Sequence, residues 1–83
     1  MDILNDLTSG IGKRIKVIRQ QKSMTQETVG LLTGIDSADI SKYESGKINL
    51  TLKTIAKFAI ALEVHPKELY DFDLDITDYE IEE

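Results

Sequence analysis

Near the middle of the chain, Gly34-Ile35-Asp36 places a helix stop and a helix start one residue apart. Glycine takes the left-handed backbone that ends a helix without a side-chain clash, and aspartate accepts from the unsatisfied amides of a new first turn. Helices joined through Ile35 alone must meet at a sharp angle, which few architectures allow. The flanks agree. Thr25 is a cap for the first helix of the pair, with Met24 before it and Val29 in its second turn placed for a hydrophobic staple. Glu27 suits the positive end of that helix dipole. Beyond the turn, Ile40 and Tyr43 give the second helix an inward face, and Ser45-Gly46 ends it.

Other helices surround this pair. Ile11, Ile15 and Ile18 fall on one face, among Lys13, Arg14, Lys16 and Arg19, and predict a helix over about 11–22. Ile3 and Leu7 carry the stripe back toward Asp2, but Gly10 and Gly12 weaken it, so residues 1–10 read as an N-terminal extension. Thr51 caps a fourth helix carrying Leu52, Ile55, Phe58, Ala59 and Leu62. Pro66 opens a fifth, with His65 as a capping or turn residue and Leu69 and Phe72 facing inward. The expected fold is all-α: a compact five-helix domain over 11–72, followed by an acidic tail over 73–83. In the tail region Phe72, Leu74 and Ile76 alternate as in a strand, while Phe72, Ile76 and Tyr79 fit a helical stripe. Its aspartates and threonine disfavour a helix, so an extended or disordered tail is expected.

Eighty-three residues suit a single domain. Cysteine is absent, which removes disulfides and thiolate metal sites and suits a reducing cytoplasm. The acidic start and the lack of a long apolar run argue against export or a membrane span. One histidine, no cysteine and no glycine-rich phosphate loop argue against an enzyme, and no metal or cofactor is expected. The net charge of −5 divides unevenly, with +2 on residues 1–70 and −7 on residues 71–83. The body is therefore mildly basic, and the acidity belongs to the tail.

From Thr25-Gln26-Glu27 through Val29, Gly34-Ile35-Asp36, Ile40-Ser41, Tyr43-Glu44-Ser45-Gly46-Lys47, Asn49, Thr51-Leu52, Ile55 and Phe58-Ala59 to Ala61-Leu62, the chain resembles the Cro/cI-type helix-turn-helix domain of the XRE family. Ile15, Ile18 and Arg19 upstream and Leu69 downstream extend the resemblance over about 11–72, with the helix-turn-helix core at 25–44. It implies a lambda-repressor-like, sequence-specific transcriptional regulator, a repressor or an activator, whose partner is double-stranded DNA. The second helix of such a pair lies in the major groove and the first lies across the backbone. Ser37, Ala38, Ser41 and Lys42 face away from Ile40 and Tyr43 and match the family's base-contact positions. Serine can exchange hydrogen bonds with base edges, alanine can touch a thymine methyl, and lysine can reach guanine acceptors.

Thr25 and Gln26 at the start of the first helix, Lys47 and Asn49 after the second, and Lys53 are the expected phosphate contacts. Arg19 and Glu44 match a pair that ties the first helix of the domain to the end of the reading helix. Two departures stand out. Ser23 occupies a position where the family usually has glycine, and Gly30 one where it usually has alanine. A homodimer is expected on a palindromic operator, through helices 4 and 5 and the tail, where Ile60, Phe72, Leu74 and Ile76 supply apolar surface. The alternative is a protein-binding module, such as an antitoxin or anti-repressor, that keeps the fold without reading DNA.

Overall fold

A computed structural model of the chain describes residues 2–81. In these residues the chain is all-helical, with four α-helices: α1 (Ile3–Gln21), α2 (Gln26–Thr33), α3 (Ser37–Glu44) and α4 (Leu52–Leu62). Two short 3₁₀ turns follow, at Pro66–Tyr70 and Ile76–Asp78. The expected fifth helix is therefore the first of these turns. Pro66 starts it and His65 Nδ1 caps it by accepting from the Lys67 amide at 3.0 Å, but its five residues close before α-helical pairing is established.

The first helix is longer than its isoleucine stripe implies. Asp2 caps it, accepting from the amides of Leu4 and Asn5, so residues 3–10 form its first turns rather than a separate arm. Gly10 and Gly12, which weaken the helix locally, are where other parts of the chain press against it. A Cβ at Gly12 would lie 2.4 Å from the Tyr43 carbonyl oxygen, and one at Gly10 would meet the Phe72 ring at a similar distance.

The core gathers Ile11, Ile15 and Ile18 of α1, Val29 of α2, Ile40 of α3, Ile55, Phe58, Ala59 and Leu62 of α4, and Leu69 of the first 3₁₀ turn. Tyr43 and Phe58 meet edge-to-face with ring centroids 5.5 Å apart. Arg14, half-buried, donates from Nε to the Glu68 carbonyl at 2.9 Å and so ties the 3₁₀ turn to α1.

After Leu69 the chain turns back along the N-terminal half of α1. Phe72 and Leu74 are partly buried there, and the Tyr79 hydroxyl donates to the Asp6 carboxylate. Asp75 caps the second 3₁₀ turn through the Thr77 amide and hydroxyl. Residues 72–79 thus form a strap against the body, with extended backbone at Asp75 and Tyr79 on either side of the 3₁₀ turn, where composition favours an extended or disordered tail. Aromatic contacts at Gly10 and Asp6 compensate for weak local propensity. No helix among the described residues is long and apolar enough to cross a membrane.

Candidate nucleic-acid interface

The turn between α2 and α3 is built without slack. Gly34 adopts φ 76°, and its amide donates to the Gly30 carbonyl, which closes α2. Thr33, 8% exposed, donates its hydroxyl hydrogen to the Val29 carbonyl at 2.8 Å and accepts from the Ile35 amide at 3.2 Å. Asp36 then caps α3 by accepting from Ala38 N. Gly30 sits under the turn: a Cβ there would stand 2.7 Å from the Ile35 carbonyl oxygen. The glycine that replaces a usual alanine thus lets the turn backbone lie directly on α2.

This geometry presents α3 asymmetrically. Ile40 and Glu44 are buried, whereas Ser37, Ala38, Ser41 and Lys42 are all exposed, on the side that the inward residues leave open. Lys42 lies 3.7 Å from Asp39, an exposed pair of the kind that contributes little and leaves the ammonium free to move. A row of small polar side chains and one mobile cation can approach a polar groove closely, and it offers donors, acceptors and a methyl.

The residues expected to meet phosphates stand in two places. Thr25 and Gln26 open α2, where the Thr25 hydroxyl accepts from the Thr28 amide at 3.0 Å as the helix cap. Lys47 and Asn49 are exposed in the loop after α3, and Lys53 is exposed in the first turn of α4. Gly46, at φ 75°, lets that loop pass close to Ser9 of α1.

Behind α3 a buried polar cluster joins three helices. The Arg19 guanidinium, on α1, donates from Nε to Glu44 Oε2 at 2.6 Å and from Nη2 to Oε1 at 3.0 Å, while Nη1 reaches the Met24 carbonyl at 2.9 Å. Gln26 Nε2 donates to the same Glu44 Oε1 at 3.1 Å. The Glu44 side chain is 3% exposed, and its bond raises the Arg19 pKa above its ordinary value, against a smaller lowering by burial. Removing either partner of such a pair leaves an uncompensated charge, at a cost of about 3–5 kcal/mol. The Gln26 bond is not legible in the sequence, because residues 18 apart carry no local pattern that pairs them.

A family model described as helix-turn-helix matches residues 15–69. The control protein C.BamHI of Bacillus amyloliquefaciens is 36% identical over 69 residues, covering 82% of this chain and 85% of that one. Among solved structures, the restriction-modification controller protein C.AhdI from Aeromonas hydrophila matches with a TM-score of 0.72 and 38% identity, covering 77% of this chain and 96% of that one. The controller protein C.Esp1396I, solved as a tetramer in complex with its natural 35 base-pair operator, matches with a TM-score of 0.71 and 34% identity over 78% of this chain and 86% of its own. The sharp turn, the open side of α3 and these likenesses agree: the chain belongs to the XRE-type helix-turn-helix family.

Proposed function

We propose that this chain is a sequence-specific DNA-binding transcriptional regulator of the restriction-modification controller kind, acting as a homodimer on a palindromic operator. The observation that carries this reading is the outward side of α3, where Ser37, Ala38, Ser41 and Lys42 are exposed while the rest of the helix is anchored by Ile40 and Glu44. These four side chains take the base contacts in the major groove. Thr25, Gln26, Lys47, Asn49 and Lys53 serve the backbone, setting register and affinity. The regulator works in the cytoplasm, on a lambda-repressor-like framework over residues 11–72 whose fifth helix is shortened to the 3₁₀ turn at Pro66–Tyr70.

One module makes few base contacts, and a two-fold pair doubles them across half-sites about one helical turn apart. Support for the pairing surface comes from α4 and the turn after it. Ile60 is 78% exposed, beside a shallow, mostly apolar depression of about 280 Å³ lined by Ala56, Ala59, Val64 and Pro66 with Glu63 at its rim. Ile76 of the strap is also exposed, whereas Phe72 and Leu74 are partly spent on the chain's own α1.

Selection of bound duplexes from a random pool tests the reading. A palindromic consensus is expected, bound with an affinity that falls steeply as salt rises. Enrichment of no sequence, with salt-insensitive binding, would overturn it. Sedimentation showing only monomer at high micromolar concentration would remove the dimer.

A further inference from the structure

We propose that the strap sets the protein's grip on the DNA backbone, by holding α1 where Ser9 acts as a positioning residue for the loop that carries Lys47 and Asn49. The inference rests on the DNA-reading function above and deepens it. The loop leaves α3 in a closed turn, in which the Gly46 and Lys47 amides donate back to the carbonyls of Tyr43 and Lys42 at 3.1 and 2.9 Å. One side of that turn bears on half-buried Ser9. A Cβ at Gly46 would stand 2.9 Å from Ser9 Cα, and 3.1 Å from both its amide nitrogen and its hydroxyl oxygen. The loop backbone therefore lies directly on the helix, and Ser9 is the seat against which its first residues are set.

That seat is on a weak part of α1. Gly10 and Gly12, both poor helix residues, follow it, and the first turns of a helix hold only as well as what packs on them. The strap packs here. The Phe72 ring lies so close to Gly10 that a Cβ there would overlap it, and the Tyr79 hydroxyl donates to Asp6, about one turn before Ser9. Ser9 and Gly10 line one seam with Phe72, Asp73 and Leu74. The helix at Ser9-Gly10 is thus clamped between the loop and the strap. Both parts of the clamp, residues 3–10 and 72–79, lie outside the residues 15–69 that the family model matches, so the matched framework does not by itself supply it. When the strap lifts, the first turns of α1 fray and the loop loses its seat. Lys47 and Asn49 then have to be ordered by the DNA itself, which weakens binding without changing which bases α3 prefers.

The test is a double-mutant cycle on the full chain, read as affinity for the selected operator duplex. Phe72→Ala combined with Tyr79→Phe lifts the strap without removing a charged side chain. It should weaken binding roughly 3- to 10-fold while the selected consensus stays the same. Lys47→Ala should weaken the parent and flatten its salt dependence by about one phosphate contact. With the strap lifted, the same substitution should cost markedly less, because the loop it belongs to is already unseated. Equal losses in the two backgrounds would overturn the proposal. So would tighter binding with the strap lifted, which would make the strap an acidic competitor of phosphate. Because the double variant removes a packed ring and its folding is at stake, Ser9 gives an independent arm. Ser9→Val crowds the approach of Gly46 and should repeat the loss, while Ser9→Ala, which leaves the seat clear, should keep the parent's affinity. Equal affinities for these two variants would refute the role of Ser9. A Lys47→Ala protein that binds like the parent would end this inference and leave the DNA-reading function standing. A parent chain that enriches no sequence would instead bring down that function, and the inference with it.

Discussion

Replacing Gly12 with alanine tests how closely α1 is seated on the reading helix. The new Cβ would stand 2.4 Å from the Tyr43 carbonyl oxygen and 2.7 Å from that of Glu44. Both are main-chain atoms at the end of α3, so no rotamer change relieves the overlap, and the helices must separate by on the order of 1 Å to restore ordinary contact. Overpacking costs about 1–3 kcal/mol, and a main-chain overlap belongs at the upper end of that range. Alanine's better helix propensity returns about 1 kcal/mol, which leaves a net loss of about 2 kcal/mol. For a domain of this size the melting temperature should fall by roughly 8–16 °C. Gly10→Ala is the internal control. The atoms nearest its Cβ belong to the Phe72 ring, which can swing aside with the strap, so its stability should stay within about 1 kcal/mol of the parent. Thermal unfolding followed by circular dichroism measures both. A Gly12→Ala protein that melts at or above the parent temperature would refute the reasoning, and so would equal losses in the two variants.

Ser23 adopts φ 55°, a left-handed conformation that suits glycine, so Ser23→Gly should stabilise the protein by about 0.5–1 kcal/mol after the extra freedom of the unfolded chain is counted. An unchanged or lower melting temperature would contradict this. Tyr79 should titrate late in a tyrosinate absorbance experiment, because its bond to the Asp6 carboxylate, then burial and neighbouring acids, push its pKa from 10.0 up to about 12. A folded-state value above the unfolded one means that this contact supports the strap fully below pH 10 and is lost as pH rises toward 12. Asp6→Asn should bring the midpoint back toward 10, and a Tyr79 midpoint near 10 in the parent would exclude the contact.

The parts of the fold legible in the sequence are those decided by neighbouring residues. The Thr25, Asp36 and Thr51 caps and the His65-Pro66 start each depend on a side chain bonding to an amide two or three positions away, and the Gly34 stop depends on a left-handed backbone that glycine adopts freely, so composition reveals them. Features decided across the chain were not legible. Gly10 and Gly12 read as flaws in a helix until Phe72 and the end of α3 are placed against them. The strap reads as a solvated acidic tail because nothing local to Tyr79 points to Asp6, 73 residues earlier. The 3₁₀ turn reads as a fifth helix because Pro66 marks a start, and the early stop after Tyr70 has no comparably strong signal. In the candidate site, the outward positions of α3 follow from helical periodicity. The link from Gln26 to Glu44 needs the crossing of two helices that only tertiary packing sets.

The mounting of α3 has a consequence for how proteins of this design can diversify. Its angle is held by Gly30 under the Ile35 carbonyl, by Gly12 against its last turn and by Glu44 in the polar cluster, all on the hidden side. The side chains of Ser37, Ala38 and Ser41 bond to nothing else among the described residues, and Lys42 gives up only an exposed pair with Asp39. Those four positions can therefore change one at a time at little cost to folding, each new letter arriving already aimed. On the base-contact role proposed for these four positions, descendants of such a chain would acquire new operators by spelling, while the hand that holds the pen keeps still.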